Sequence, residues 1–117
     1  MMAARHPYCR GDVILIQFPF SSATGQKDRP AIVMSTDIFH DRWDELLVVA
    51  ITSKSPRTLR PSDCELQHWQ SAGLQQPSWM RSHLATIHRQ LVICKLGSLA
   101  SSDLQAVESC LRASLGI

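Results

Sequence analysis

The sequence predicts a mainly β protein: a small, strongly bent β-barrel with one α-helix attached at its C-terminal end. Five or so short apolar or alternating segments recur along the chain, each bounded by Gly, Pro or polar clusters. Helical spacing of apolar residues appears only at the close, from Leu104 onward. At 117 residues the chain has room for a single domain, 1–117, around one core. A domain of that size buries roughly two-thirds of its unfolded surface and folds without disulfides or metals. With 44% hydrophobic and 19% charged residues, it is neither a disordered nor a collagen-like nor a coiled-coil composition.

The first strand is Asp12-Val-Ile-Leu-Ile-Gln-Phe18, nearly continuous apolar and β-branched, and so buried on both faces. Gly11 begins it and Pro19 ends it. The polar run Ser21 to Asp28, around Gly25, is a connecting loop. Ala31 to Ser35 is the second strand, with Pro30 expected at its first position because proline cannot donate to a ladder. Thr36 to Glu45 is acidic and admits one helical turn capped by Thr36 or Asp37. Leu46-Leu-Val-Val-Ala-Ile-Thr52 is the third strand and the best core candidate. Ser53 to Ser62 carries Lys54, Arg57 and Arg60 with no acid, a basic loop. Asp63 to Trp69 reads as a short strand, Ser71 to Pro77 as a turn around Gly73, and Arg81 to His88 as a weakly alternating strand that Leu91 to Cys94 extends. The closing helix opens with a capping-box pattern, Ser102-x-x-Gln105, with Asp103 at the positive helix end. Leu104, Val107, Leu111 and Leu115 form one apolar stripe, and Gly116 ends it.

Several function classes drop out. The longest aliphatic run, Leu46 to Ile51, is far short of the ~20 residues of a membrane span. Met1 to Arg10 is polar and lacks the apolar segment of a secretory signal, so a cytoplasmic protein with no membrane partner is expected. Cys9, Cys64, Cys94 and Cys110 form no C-x-x-C pair and read as buried reduced thiols. Cys64 and His68 lack the further ligands of a zinc site, so no metal and no cofactor is expected. P-loop, G-x-G-x-x-G, H-E-x-x-H and G-x-S-x-G motifs are absent. A formal charge of +2 is compatible with a polyanionic ligand without requiring one.

Polar groups gather where strands meet loops in three places: Gln26-Lys-Asp-Arg29, Thr52-Ser53-Lys54 and Arg81-Ser-His83. On spacing alone each has an ordinary structural explanation. Their order is more informative. Gly11-Asp-Val-Ile-Leu-Ile-Gln-Phe-Pro-Phe20, Lys27-Asp-Arg-Pro-Ala-Ile-Val33 and Val49-Ala-Ile-Thr-Ser53, followed by Ala72-Gly-Leu74, Pro77-Ser78 and Leu96-Gly-Ser-Leu99, resemble the MazF/PemK toxin family over Arg10 to Ile117.

That resemblance implies an SH3-like β-barrel of the CcdB/MazF type, acting as a homodimer and as the toxin of a type II toxin–antitoxin pair. It implies a metal-independent, sequence-specific endoribonuclease that cuts single-stranded mRNA and is inhibited by a cognate antitoxin. By position it carries the family's catalytic arginine onto Arg29 and its catalytic threonine onto Thr52. A further arginine, found in the PemK-like branch, falls on Arg81. Where that branch of the family can carry an acid two residues later, this chain has His83.

These residue types suit the chemistry. Metal-free cleavage uses the substrate's 2′-hydroxyl as nucleophile and leaves a 2′,3′-cyclic phosphate and a 5′-hydroxyl. Arg29 would fork onto the phosphate, Thr52 would donate to it or orient the 2′-hydroxyl, and Arg81 would share the charge or assist the leaving oxygen. His83 is the expected proton-transfer group. Lys27, Lys54, Arg57 and Arg60 are expected to contact backbone phosphates and Ser53 to bind substrate, with Gln26 and Trp79 reading bases. Two other readings of the barrel stay open: a CcdB-like gyrase poison and a catalytically inactive binding module.

Overall fold

β-branched and aliphatic residues dominate every long strand of a computed structural model that describes residues 7–17, 28–40, 44–55 and 60–117. In chain order the elements are β1 (Asp12–Gln17), β2 (Asp28–Val33), the single turn α1 (Asp37–His40), β3 (Glu45–Thr52), β4 (Asp63–Glu65), β5 (Trp79–His88), a 3₁₀ turn (Arg89–Leu91), β6 (Val92–Ser98) and α2 (Ser101–Leu115). The six strands form one antiparallel sheet in the order β4-β5-β3-β2-β1-β6. Among the described residues no ladder joins β4 to β6, so the barrel is a strongly curved but open sheet.

Both faces of the sheet are apolar, and each has its own core. Successive strand residues point to opposite faces. Val13, Ile32, Val49 and Ile51 therefore enter one cluster, which Val107 and Leu111 of α2 close with Leu66 and Ala72. Ile14, Ile16, Ala31, Val33, Leu46 and Val48 enter the other, joined by Ala85 and Ile87 of β5. Curvature lets one sheet wrap both. Register shifts in the β1–β6 and β3–β5 ladders supply it, because an unmatched residue bends its strand and increases the twist. On β5 alternate residues face the two clusters, Met80 the first and Ala85 and Ile87 the second, while Arg81 and His83 stay exposed. Because burial is divided between the two faces, the alternation in that strand is weak in the sequence.

Several sequence expectations are corrected. Pro30 is the third residue of β2, not the first, and is matched to Leu15 of β1. The β3 ladder begins only at Ala31, so the missing N–H falls where β2 is paired on one side. The strand after the turn at Asp63 covers three residues, and the last strand is Val92–Ser98 rather than an extension through Leu91. α2 is capped at Ala100 with no side-chain cap, so Ser102 lies inside the first turn and the capping box is not formed. The apolar stripe packs on the sheet through Leu104, Val107 and Leu111, but Leu115 is 56% exposed. Gly116, left-handed at φ 72°, ends the helix as expected. Phe18 lies outside the described residues. No described helix is long and apolar enough to cross a membrane.

Candidate active site

At the end of the sheet where β2 begins and β3 ends, a cavity of about 710 Å³ opens. Leu15, Pro30, Ile51, Leu74 and Leu96 give it apolar lining, and polar groups arrive from three directions. β2 contributes Asp28 and Arg29, the end of β3 contributes Thr52 followed by Ser53 and Lys54, and β5 contributes Arg81. The last β2–β3 ladder pair is Ala31 with Ala50. Arg29 and Thr52 lie two residues beyond that pair on their strands, and the fold brings these residues, 23 apart in sequence, to the lining of one cavity.

Thr52 is half-buried, and its Oγ1 accepts a hydrogen bond from the Lys54 backbone N–H at 3.1 Å. That bond uses an acceptor lone pair and fixes the side chain while leaving the hydroxyl proton free to donate. Arg29, Lys54 and Arg81 are exposed, and none forms an ion pair with another described residue. The ion pairs that do form among the described residues lie elsewhere: Arg10 with Glu108, Arg89 with Asp44 and Lys95 with Asp12. Among the described residues, three cations without an ion-pair partner thus share the lining with one carboxylate, Asp28. The arrangement suits a polyanion.

A further part of the lining comes from a segment, residues 66–78, that runs from β4 to β5 and is held at several points. Asp103, only 2% exposed, accepts from the backbone N–H groups of Gln67 (3.0 Å) and His68 (2.8 Å). This is the work of the acid that the sequence places at a helix end. Leu66 N–H donates to the Ser78 carbonyl, and the Ser78 hydroxyl donates to the Gln76 carbonyl at 2.8 Å. Gly73, at φ 84°, lies so close to β6 that a Cβ there would sit 2.1 Å from the Leu96 carbonyl oxygen; one on Gly97 would sit 2.5 Å from that of Ala72. Only glycines allow that backbone-on-backbone contact. Gln75 and Gln76 ride on this segment and line the cavity.

Of the residues singled out in the sequence, the cavity therefore collects Arg29, Thr52, Ser53, Lys54 and Arg81. His83 is exposed on β5 and does not line it, nor does Trp79, which is half-buried and matched to Thr52 and Glu65. Gln26, Lys27 and Arg57 lie outside the described residues. Sequence reasoning missed Asp28, Gln75 and Gln76. The available signal was a pair of amides between the Gly73 turn and Pro77, and an acid beside the arginine.

The cysteines divide. Cys64 is buried, and burial together with the neighbouring Cys110 thiol pushes its pKa up to about 12. Cys9 and Cys94 are exposed, against the expectation of buried thiols throughout. Among the described residues no three His, Cys, Asp or Glu side chains are grouped to hold a metal ion.

Comparison with known proteins follows the same lines. Residues 9–115 match the family model of the PemK-like, MazF-like toxins of type II toxin–antitoxin systems. No curated protein sequence matches significantly. Among solved structures, an endoribonuclease in complex with its cognate antitoxin from a mycobacterial species superposes at TM-score 0.77, with 15% identity over 94% of this chain and 96% of that one. The Mycobacterium tuberculosis toxin MazF-mt6 gives 0.73, with 17% identity over 91% and 97%. A MazE–MazF structure from Deinococcus radiodurans gives 0.75, with 18% identity over 96% and 99%. At such identities the superpositions establish the shared fold.

Proposed function

The chain belongs to the PemK-like, MazF-like toxins of type II toxin–antitoxin systems, and on that footing we propose that it is a metal-independent, sequence-specific endoribonuclease. Its substrate is single-stranded mRNA in the cytoplasm, and it cuts at the cavity between Arg29 and Thr52. The observation that carries this reading is the convergence there of three cations, Arg29, Lys54 and Arg81, that no described residue pairs, around an oriented hydroxyl.

In this reading the substrate's 2′-oxygen attacks the adjacent phosphorus and the P–O5′ bond breaks. Products carry a 2′,3′-cyclic phosphate and a 5′-hydroxyl. Arg29 forks onto the non-bridging oxygens, whose charge grows in the transition state, and Thr52 donates its free proton to the same phosphate. Arg81 hydrogen-bonds the leaving 5′-oxygen, which takes its proton from water, while Ser53 and Lys54 hold a neighbouring backbone phosphate. Asp28 takes the 2′-hydroxyl proton. We assign that step to Asp28 rather than His83 because a base must lie within hydrogen-bond reach of its proton, and Asp28 lines the cavity while His83 does not.

A cognate antitoxin is the proposed inhibitor, by analogy with the complexes formed by the structural neighbours. A homodimer is the proposed assembly. The apolar stripe of α2 is used on the sheet, so the dimer contact falls to large apolar side chains left open, such as Ile93 (48% exposed) on edge strand β6 and Leu84 (41%) on β5. The test is to incubate the pure protein with a long defined RNA in excess EDTA and to map ends by primer extension. Discrete cuts with cyclic phosphate ends are expected. Intact RNA from protein that still arrests growth would overturn the reading in favour of a gyrase poison.

A further inference from the structure

We propose that Gln75 and Gln76 choose where the RNA is cut, by hydrogen-bonding the Watson–Crick edge of an unstacked base beside the scissile phosphate. This rests on the nuclease reading above and adds to it the group that reads sequence.

The cations of the cavity cannot read sequence, because phosphates are the same at every nucleotide. Selection needs groups with directional donors and acceptors, held still. Gln75 and Gln76 are the neutral amides lining the cavity, and neither side chain is hydrogen-bonded to another described residue. Each has a carbonyl acceptor beside an NH₂ donor. Their backbone does not need ordering on binding, since the Asp103 carboxylate, the Gly73–Gly97 contact and the Ser78 hydroxyl already hold the segment. With the backbone already held, only the two exposed side chains have to be ordered on engaging a base.

The amide pattern, one acceptor beside one donor, can pair with the Watson–Crick edge of any of the four bases, guanine through O6 and N1–H. Replacing glutamine by glutamate keeps the shape but leaves acceptors alone. Guanine, with N1–H beside N2–H₂, is the base whose edge offers two neighbouring donors. Gln75→Glu or Gln76→Glu should therefore move the preference at one nucleotide position towards guanine by about tenfold or more, the scale of a well-made bidentate base contact. Gln→Ala should flatten preference at that position instead of redirecting it.

The experiment measures kcat/KM across an RNA library randomised around the cut, for the wild type, Gln75→Glu, Gln76→Glu, both alanine variants and Arg29→Ala. Thermal unfolding verifies that each is folded. A redirected preference in one glutamate variant, with Arg29→Ala slowing every sequence alike, bears the proposal out. If the wild type cuts and both glutamate variants keep its preference, base reading by this segment is overturned while the nuclease stands. A uniform loss of rate in folded glutamine variants overturns it as well. If the wild type cuts nothing, the nuclease reading falls and this inference falls with it.

Discussion

Along one wall of the cavity Arg29, Lys54 and Arg81 carry charges that no described residue neutralises. Along another, Gln75 and Gln76 are neutral and sit on a segment tied to α2, to β6 and to itself. The first wall is built from strand ends that the fold brings to one cavity. The second is built from an irregular segment that has to be fastened by specific atoms. Charge left unpaired is costly within a protein's own structure, yet it is what a polyanion needs to find. Fastened neutral groups contribute little attraction but hold a geometry. On the proposed reading, binding and selection fall to different physical devices in one cavity.

The sharpest way to break this comparison acts on the charged wall. Asp28→Asn removes the one carboxylate that lines the cavity among the described residues and should slow single-turnover cleavage by about 10²–10⁴-fold, the usual contribution of a positioned base. His83→Ala, outside the lining, should change it little. The reverse pattern would return the base to His83.

On the fastened wall, Asp103→Ala leaves the Gln67 and His68 N–H groups without their acceptor and should lower the unfolding free energy in urea by about 2–3 kcal/mol. If the segment is braced as described, the same variant should also blur cut-site preference more than it lowers rate on the preferred site. A smaller effect is expected at Lys54, the residue proposed to contact a backbone phosphate. Lys54→Ala should weaken RNA binding alike for all sequences and reduce the log–log salt slope by about one.

The smallest effect is alkaline. A thiol is neutral when protonated, so a folded-state pKa of about 12 against an ordinary 9.0 means that the folded protein holds the Cys64 proton longer than the unfolded chain does. The stability it contributes is full below pH 9.0 and lost as pH rises from there towards about 12. Urea unfolding at pH 8 and pH 10.5, roughly the two sides of that onset, should show a steeper fall for wild type than for Cys64→Ala.

Strand periodicity made most of the fold legible. β1, β3 and α2 emerge within a residue or two of the segments read from apolar spacing, because their buried faces impose that spacing. Legibility ended where tertiary partners overrode local pattern. Ser102 has the chemistry of a cap, but Ala100 takes the position and Asp103 turns to the 66–78 segment. Pro30 is tolerated inside β2 because of which neighbour pairs there, a fact about topology. Arg29, Thr52 and Arg81 were found through family resemblance, with the fold showing afterwards that they meet at one cavity. Gln75 and Gln76 carry no periodic signal, and their place at the cavity depends on a fastening by Asp103 nearly thirty residues away.

The central claim is that cleavage belongs to this cavity and not to positive charge in general. Arg29→Ala and Arg89→Ala remove the same side chain from two places. Arg29 lines the cavity, whereas Arg89 follows the far end of β5 and is paired with Asp44. Single-turnover cleavage of one defined RNA in EDTA compares them directly. The expected result is a loss of about 10²–10³-fold for Arg29→Ala, the scale of one lost transition-state donor, and a change within about threefold for Arg89→Ala. Equal losses in the two variants, or full activity without Arg29, would contradict it.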